Sequence, residues 1–269
     1  MIMSDLTYST SNLPPLHTED PLRRFSNRAD DYAKYRPSYP DAAIDAILAG
    51  LGDPTNLVVA DIGAGTGISS RLVANRGASV WAIEPNDIMR RAAEPHNNVD
   101  FREGTAEQTG LPDQSVDIVL CCQSFHWFNP DAALAEFHRI LKPAGRAALM
   151  WNDRDRNDEF TNQYTEVIRK AVDPRYFERI ERKASDAQEL QQSTLFENFT
   201  SYRFTNSHWL NQAGLIGLAL SASYVPKAGP AHQQLIADLQ QLYHHWTDSA
   251  EDGVTISYQT DLYLANSCN

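Results

Sequence analysis

The chain has 269 residues, of which 23 are basic and 35 acidic, giving a formal net charge of −12 at pH 7. That balance argues against a nucleic acid partner, which needs clustered Lys and Arg, and no apolar run approaches the ~20 residues of a membrane span. Three cysteines are too few for a disulfide framework, and the 42% hydrophobic content suits one large α/β domain or a core with a helical insertion.

Residues 1–20 are polar and contain prolines, with no signal-peptide apolar core, so a flexible tail and a cytoplasmic location are expected. Pro21 to Pro40 is aromatic and basic, unlike the acidic remainder. Asp41 is expected to cap an amphipathic helix carrying Ala43, Ile44, Ile47 and Leu48 at i, i+3, i+4 spacing. Leu57 to Ala60 is a short apolar run that suits a buried parallel strand. Asp61 closes it, Gly63, Gly65 and Gly67 follow at alternate positions, and Ile68 to Ala74 has helical character. Glycine lets a backbone turn sharply and approach a ligand, and a helix N-terminus favours an anion. This is the layout of a cofactor loop.

Further strands are expected at Ala78–Pro85, from Val99, at Ser115–Cys122 and at Arg146–Trp151. The helices between them run from Asn86 through Ala93 and from Pro130 to Leu141, the latter ended by a Lys142–Gly145 turn. Strand and helix thus alternate with short connections, which specifies a doubly wound parallel sheet. After a charged turn at Asp153–Asp158, about 40 residues have helical character. A strand at Phe199–Leu210, helices at Gln212–Ala222 and Ala231–Trp246, and a last strand at Val254–Ala265 complete the chain.

A dinucleotide fingerprint, G-x-G-x-x-G, would place its third glycine where Ile68 stands. The run from Asp61 through Gly63, Gly65 and Gly67 instead resembles motif I of the class I S-adenosylmethionine-dependent methyltransferases. Glu84, about twenty residues beyond the loop, is then placed to accept hydrogen bonds from ribose hydroxyls. Pro85 follows it, and Met89 either packs on the purine or belongs to the helix core. Glu103–Glu107 resembles the motif II region, which implies Thr105, Ala106 and Glu107 along the adenine, with Gln123 at the carboxyl edge of the sheet. The Ile140–Arg146 segment is similar to the family's structural turn before strand five.

The resemblance narrows through Tyr32, Tyr35-Arg36-Pro37, Ser124-Phe125-His126-Trp127 and Ser221–Pro226. These recur together in the small-molecule branch that includes trans-aconitate and cantharidin methyltransferases. It implies a mostly parallel seven-stranded sheet with a helical lid. The expected organisation is a tail (1–20), a cofactor-binding core with an N-terminal cover (21–153), a lid insertion (154–198) and a C-terminal part that completes the sheet (199–269).

The implied activity is methyl transfer from S-adenosylmethionine to a small-molecule acceptor, a carboxylate or a hydroxyl, by a monomer or homodimer. Tyr32, Arg36, Ser124 and Trp127 are expected to cover substrate or cofactor. A sulfonium suits aromatic neighbours, and the cofactor's carboxylate suits the loop amides or Arg36, unless Arg36 pairs with Asp30 or Asp31 at the surface. His126 is the candidate general base, or else it packs on Trp127 and closes the pocket. A hydroxyl acceptor requires a base; a carboxylate does not. His244 and His245 lack partners at metal-ligand spacing, so no metal is expected. Two alternatives remain open: an NAD-linked oxidoreductase, and a non-catalytic methyltransferase-like binding protein.

Overall fold

A computed structural model describes residue 18, residues 28–174, 177, 187–248 and 252–268. The expected tail at 1–20, apart from Thr18, lies outside the described residues, as do 175–176 and 178–186 of the expected lid insertion.

Seven strands form one sheet: β1 (Val58–Ile62), β2 (Ser79–Ile83), β3 (Val99–Arg102), β4 (Val116–Cys122), β5 (Leu141–Arg154), β6 (Phe196–Leu210) and β7 (Val254–Ser267). Their order is β3-β2-β1-β4-β5-β7-β6. The first five pair in parallel, and β7 inserts antiparallel between β5 and β6. The helices are α1 (Ala29–Tyr35), α2 (Asp41–Leu48), α3 (Ile68–Ala74), α4 (Asp87–Arg91), α5 (Pro130–Ile140), α6 (Glu159–Ala171), α7 (Gln188–Gln192), α8 (Gln212–Ser221) and α9 (Gly229–Trp246). None of the described helices is long and apolar enough to cross a membrane.

The unbroken apolar run of β4 reflects cover on both faces of the sheet. Because side chains alternate along a strand, Ile118, Leu120 and Cys122 join the cluster under α2 and α3. Val119 and Cys121 face the cluster that holds Phe137, Ile140 and Trp151. A third cluster packs α6, α8 and α9 against the start of β7, through Tyr164, Ile168, Leu215, Leu239 and Ile256. The three cysteines are free, and Cys121 and Cys122 are buried core residues.

Several helix starts are set by side-chain caps. Asn86 accepts from Ile88 and Met89, Asn129 from Ala132, Asp158 from Thr161 and Asn211 from Gly214. Asp41 differs from expectation. It is the first residue of α2 after Pro40, and its carboxylate pairs with Arg76 instead of capping. The Lys142–Gly145 segment, expected as a turn, lies inside β5. The register shifts there, from Val116 opposite Leu141 to Ile118 opposite Arg146, so the extra residues bulge out of the ladder.

The segment that leads into α1 is tied to the helical layer at the carboxyl end of α8. The buried Arg28 guanidinium donates to the carbonyls of Leu220, Ala222 and Val225. A cation suits this end, where the last helical carbonyls lack intrahelical donors. The Tyr35 ring lies over Gly217 so closely that a Cβ there would sit 2.2 Å from it. Gly217→Ala is therefore expected to push α1 off α8 and lower stability by about 1–3 kcal/mol. Thermal unfolding against wild type checks this, and an unchanged midpoint would mean that the ring yields freely.

Candidate functional site

The loop between β1 and α3 is held largely by its own amides. Gly63 and Ala64 N–H both donate to Ile83 O, Gly67 N–H to Ala64 O, and Gly65 N–H to Glu84 Oε2 at 2.9 Å. The second Glu84 oxygen accepts from Asn86 N–H at 2.9 Å. Glu84 is buried, which pushes its pKa up against the pull of these two amides. Each carboxylate oxygen keeps a lone pair for a further donor.

The three glycines serve different ends. A Cβ on Gly63 would meet Ser124 Cβ at 2.7 Å, and one on Gly67 would meet the Phe101 ring at 2.6 Å. Those two permit close packing beneath the loop. Above Gly65 the nearest atoms to a Cβ are Met89 Cε at 3.4 Å and Tyr32 Cε1 at 3.7 Å. Gly65 alone faces a gap between two side chains that sequence reasoning placed at the cofactor.

Asp61 lies under the loop with no exposed surface. Its Oδ2 accepts from the Ser69 and Ser70 hydroxyls at 2.7 and 2.6 Å, while Oδ1 is buried with no hydrogen-bond partner. Desolvation outweighs the Ser70 and Ser69 hydrogen bonds and pushes its pKa up to about 6. Since the folded value exceeds the unfolded one, the ionised form is a cost above pH 6 that is relieved as pH falls through 6 toward 4. The ligand-free protein is expected to gain up to about 3 kcal/mol from this group over that window. Chemical denaturation of wild type and Asp61→Asn at pH 4, 5.5 and 7 checks it: the difference between them should change with pH. Parallel stabilities would mean that Asp61 ionises without cost.

Two connected spaces lie beyond the carboxyl edge of the sheet. A cleft over the loop is lined by Gly63, Ala64, Ile68, Tyr32, Arg36 and Gln123, among others. A larger cavity of about 280 Å³ shares Tyr32, Arg36, Pro37, Gln123 and Asn152 with it and extends to Arg154, Tyr164, Tyr224 and Tyr258. Arg36 stacks over the Tyr32 ring at 4.9 Å and donates to Ser221 O at 3.3 Å. It makes no ion pair among the described residues, so the alternative of a surface pair with Asp30 or Asp31 falls away. Arg154 stacks on Tyr164 at 5.8 Å and donates to the Tyr224 hydroxyl at 3.5 Å. Burial raises the pKa values of the Tyr164 and Tyr258 phenols, the latter to about 12, so both are neutral donors at pH 7.

His126 and Trp127 line the same cavity from a single 3₁₀ turn after β4. The His126 ring packs 5.0 Å from that of Trp127, and its Nδ1 accepts from Trp151 Nε1–H at 3.3 Å. Gln123, with φ 57°, turns the chain out of β4 and donates to Asn152 O at 3.0 Å. Ser124 is a correction. Expected over substrate or cofactor, it is buried beneath the loop with its hydroxyl spent on Ile62 O at 2.8 Å. The Glu107 carboxylate accepts from Asn129 N–H just before α5 through Oε1. Pro85 and Thr105 are half-buried, and Met89 and Ala106 buried.

Sequence reasoning missed Asn152, Arg154, Tyr164 and Tyr258 as lining residues. For Asn152 and Arg154 the signal was present, because they lie at the carboxyl end of the fifth strand, where open α/β sheets bind ligands. Tyr164 and Tyr258 carry no local signal; they arrive through α6 and the antiparallel β7.

A methyltransferase domain family matches residues 60–149. An uncharacterized methyltransferase of Mycobacterium tuberculosis is 35% identical over 206 residues, which span 74% of this chain and 76% of that protein. The chain belongs to the class I S-adenosylmethionine-dependent methyltransferases. A ubiquinone biosynthesis O-methyltransferase of Pseudomonas paraeruginosa is 33% identical over 153 residues, 54% of this chain and 56% of the relative. The solved structure of a protein from Anaeromyxobacter dehalogenans, assigned as a type II methyltransferase, superposes with a TM-score of 0.63 at 21% identity. That match covers 86% of this methyltransferase and 98% of the other chain, and shows a shared fold.

One observation fits the cofactor of this family. The space above Gly65, between Met89 and Tyr32, is one that a larger side chain at position 65 would fill.

Proposed function

We propose that this methyltransferase transfers a methyl group to a carboxylate oxygen of a small molecule held in the 280 Å³ cavity. The observation that carries the reading is the cavity wall itself. Arg154 with the Tyr224 hydroxyl, and the neutral phenols of Tyr164 and Tyr258, form an array of donors suited to a carboxylate. The likeness to an O-methyltransferase supports oxygen as the receiving atom.

When bound, S-adenosylmethionine supplies an electrophilic methyl on a sulfonium, whose sulfur keeps the S–C electron pair as the new O–C bond forms. Glu84 would hold the ribose hydroxyls, Met89 and Ala106 the adenine, with backbone groups of Thr105 and Glu107 along its edge and Pro85 beside it. The amides of Gly63, Ala64, Gly65 and Gly67 are already spent, and Arg36, which lines the cleft over them, would hold the amino-acid carboxylate. Gly63 and Gly67 shape the loop, and Asp61 supports the start of α3 from beneath through the Ser69 and Ser70 hydroxyls. Tyr32 and Trp127 offer aromatic faces to the cation. The layer of α6, α8 and α9 acts as a lid that keeps water from the reacting oxygen, and α1 as its cover. Orientation of the substrate in a dry site then supplies the acceleration, and no proton has to leave a carboxylate.

The test is a panel of mono- and dicarboxylic acids, phenols and alcohols incubated with protein and S-adenosylmethionine, with products read by mass spectrometry. Methyl esters lost in Arg154→Ala are expected. Turnover confined to phenols or alcohols would overturn the carboxylate reading.

A further inference from the structure

Trp151 is wholly buried on β5, and its indole N–H can only donate. Among the described residues its hydrogen-bond partner is His126 Nδ1. A ring nitrogen that accepts carries no proton, so the neutral imidazole must carry its proton on Nε2. Protonating Nδ1 as well would turn two buried N–H groups toward each other and leave the indole without an acceptor. We propose that Trp151 is a positioning residue that locks His126 as its Nε2–H tautomer, so that the imidazole offers the substrate a hydrogen-bond donor and cannot serve as a base.

The proposal rests on the reading that the substrate occupies this cavity. It replaces the base role expected of His126 with a donor that can hold one carboxylate oxygen while the other keeps its lone pairs for the methyl group. The held oxygen becomes the carbonyl oxygen of the product ester and still accepts from Nε2–H, so no proton moves in either direction. Burial also pushes the imidazole's pKa down to about 4, in keeping with a ring that stays neutral. The charged and titratable groups that share the cavity are Arg36, Asp153 and Arg154 and the phenols of Tyr32, Tyr164, Tyr224 and Tyr258.

The primary test is a long-range ¹H–¹⁵N correlation spectrum of the full-length protein with ¹⁵N-labelled histidine. His126 is assigned by the signals missing from His126→Gln. The expected result is a bare Nδ1 and a protonated Nε2, unchanged from pH 8 to pH 5. In Trp151→Phe the ring should populate both tautomers and titrate nearer the ordinary histidine range. The wild-type spectrum decides the tautomer even if that variant does not fold.

With an acid substrate in hand, His126→Phe should raise KM about 10–100-fold with kcat changed only a few-fold. His126→Gln, which keeps an N–H donor, should recover most of that loss. An Nδ1-protonated ring, titration near pH 6.5 in the wild type, or an equal loss of kcat of ~10² or more in both His126 variants would overturn the proposal. Failure to form any methyl ester overturns the carboxylate reading instead, since the tautomer is read without substrate.

Discussion

Gly65→Val is expected to abolish cofactor binding in a protein that still folds. Gly65 has φ 58°, in the left-handed region, and the nearest atoms to a Cβ there are Met89 Cε at 3.4 Å and Tyr32 Cε1 at 3.7 Å. A single methyl makes ordinary contact at those distances, whereas the two valine γ-carbons project into the gap above the loop. The left-handed backbone adds about 1–2 kcal/mol for any β-carbon, more for a branched one. Gly65→Ala should thus weaken binding modestly and Gly65→Val by more than ~100-fold, a steric step that backbone strain of this size falls short of. Calorimetric titration with S-adenosylhomocysteine, alongside circular dichroism as a fold check, separates the two. Equal affinities for wild type and a folded valine variant would remove this loop from the site.

Arg36→Ala is expected to cost about 10–100-fold in affinity for S-adenosylhomocysteine, the worth of a hydrogen-bonded contact to a charged group. It should cost little for 5′-methylthioadenosine, which lacks the amino-acid carboxylate. The amides of Gly63, Ala64, Gly65 and Gly67 already donate to Ile83, Glu84 and Ala64, and Arg36 lines the cleft over them with its Nε lacking a partner. Because Arg36 also donates to Ser221 O, its loss could loosen the cover and lower both affinities together. The comparison between the two ligands removes that effect. An unaltered preference for S-adenosylhomocysteine in Arg36→Ala would assign the carboxylate to another donor.

The local devices of this fold were legible in the residues. A short apolar run before three alternate glycines specified the strand, turn and helix of the loop, because buried parallel strands and left-handed turns each demand particular residue types. Glu84 could be placed by counting along the chain, since one strand and one helix separate it from the loop. Ser124 could not be read correctly. Its position after the fourth strand is the ligand-binding edge, yet whether the hydroxyl faces the cavity or Ile62 O depends on one backbone turn, and Gln123 at φ 57° makes it.

What the sequence determined alone is the doubly wound core and the glycine loop, because their signals are periodic, local and carried by consecutive residues. Tertiary structure decided the rest of the cavity. Arg154 ends β5, Tyr164 sits on α6, Tyr224 follows α8 and Tyr258 lies on β7, more than 100 residues apart at the extremes, and the antiparallel insertion of β7 brings them to one wall. It also decided the chemistry of His126. A sequence names an imidazole but not its tautomer, which here follows from a donor-only indole 25 positions later that the sheet places against Nδ1.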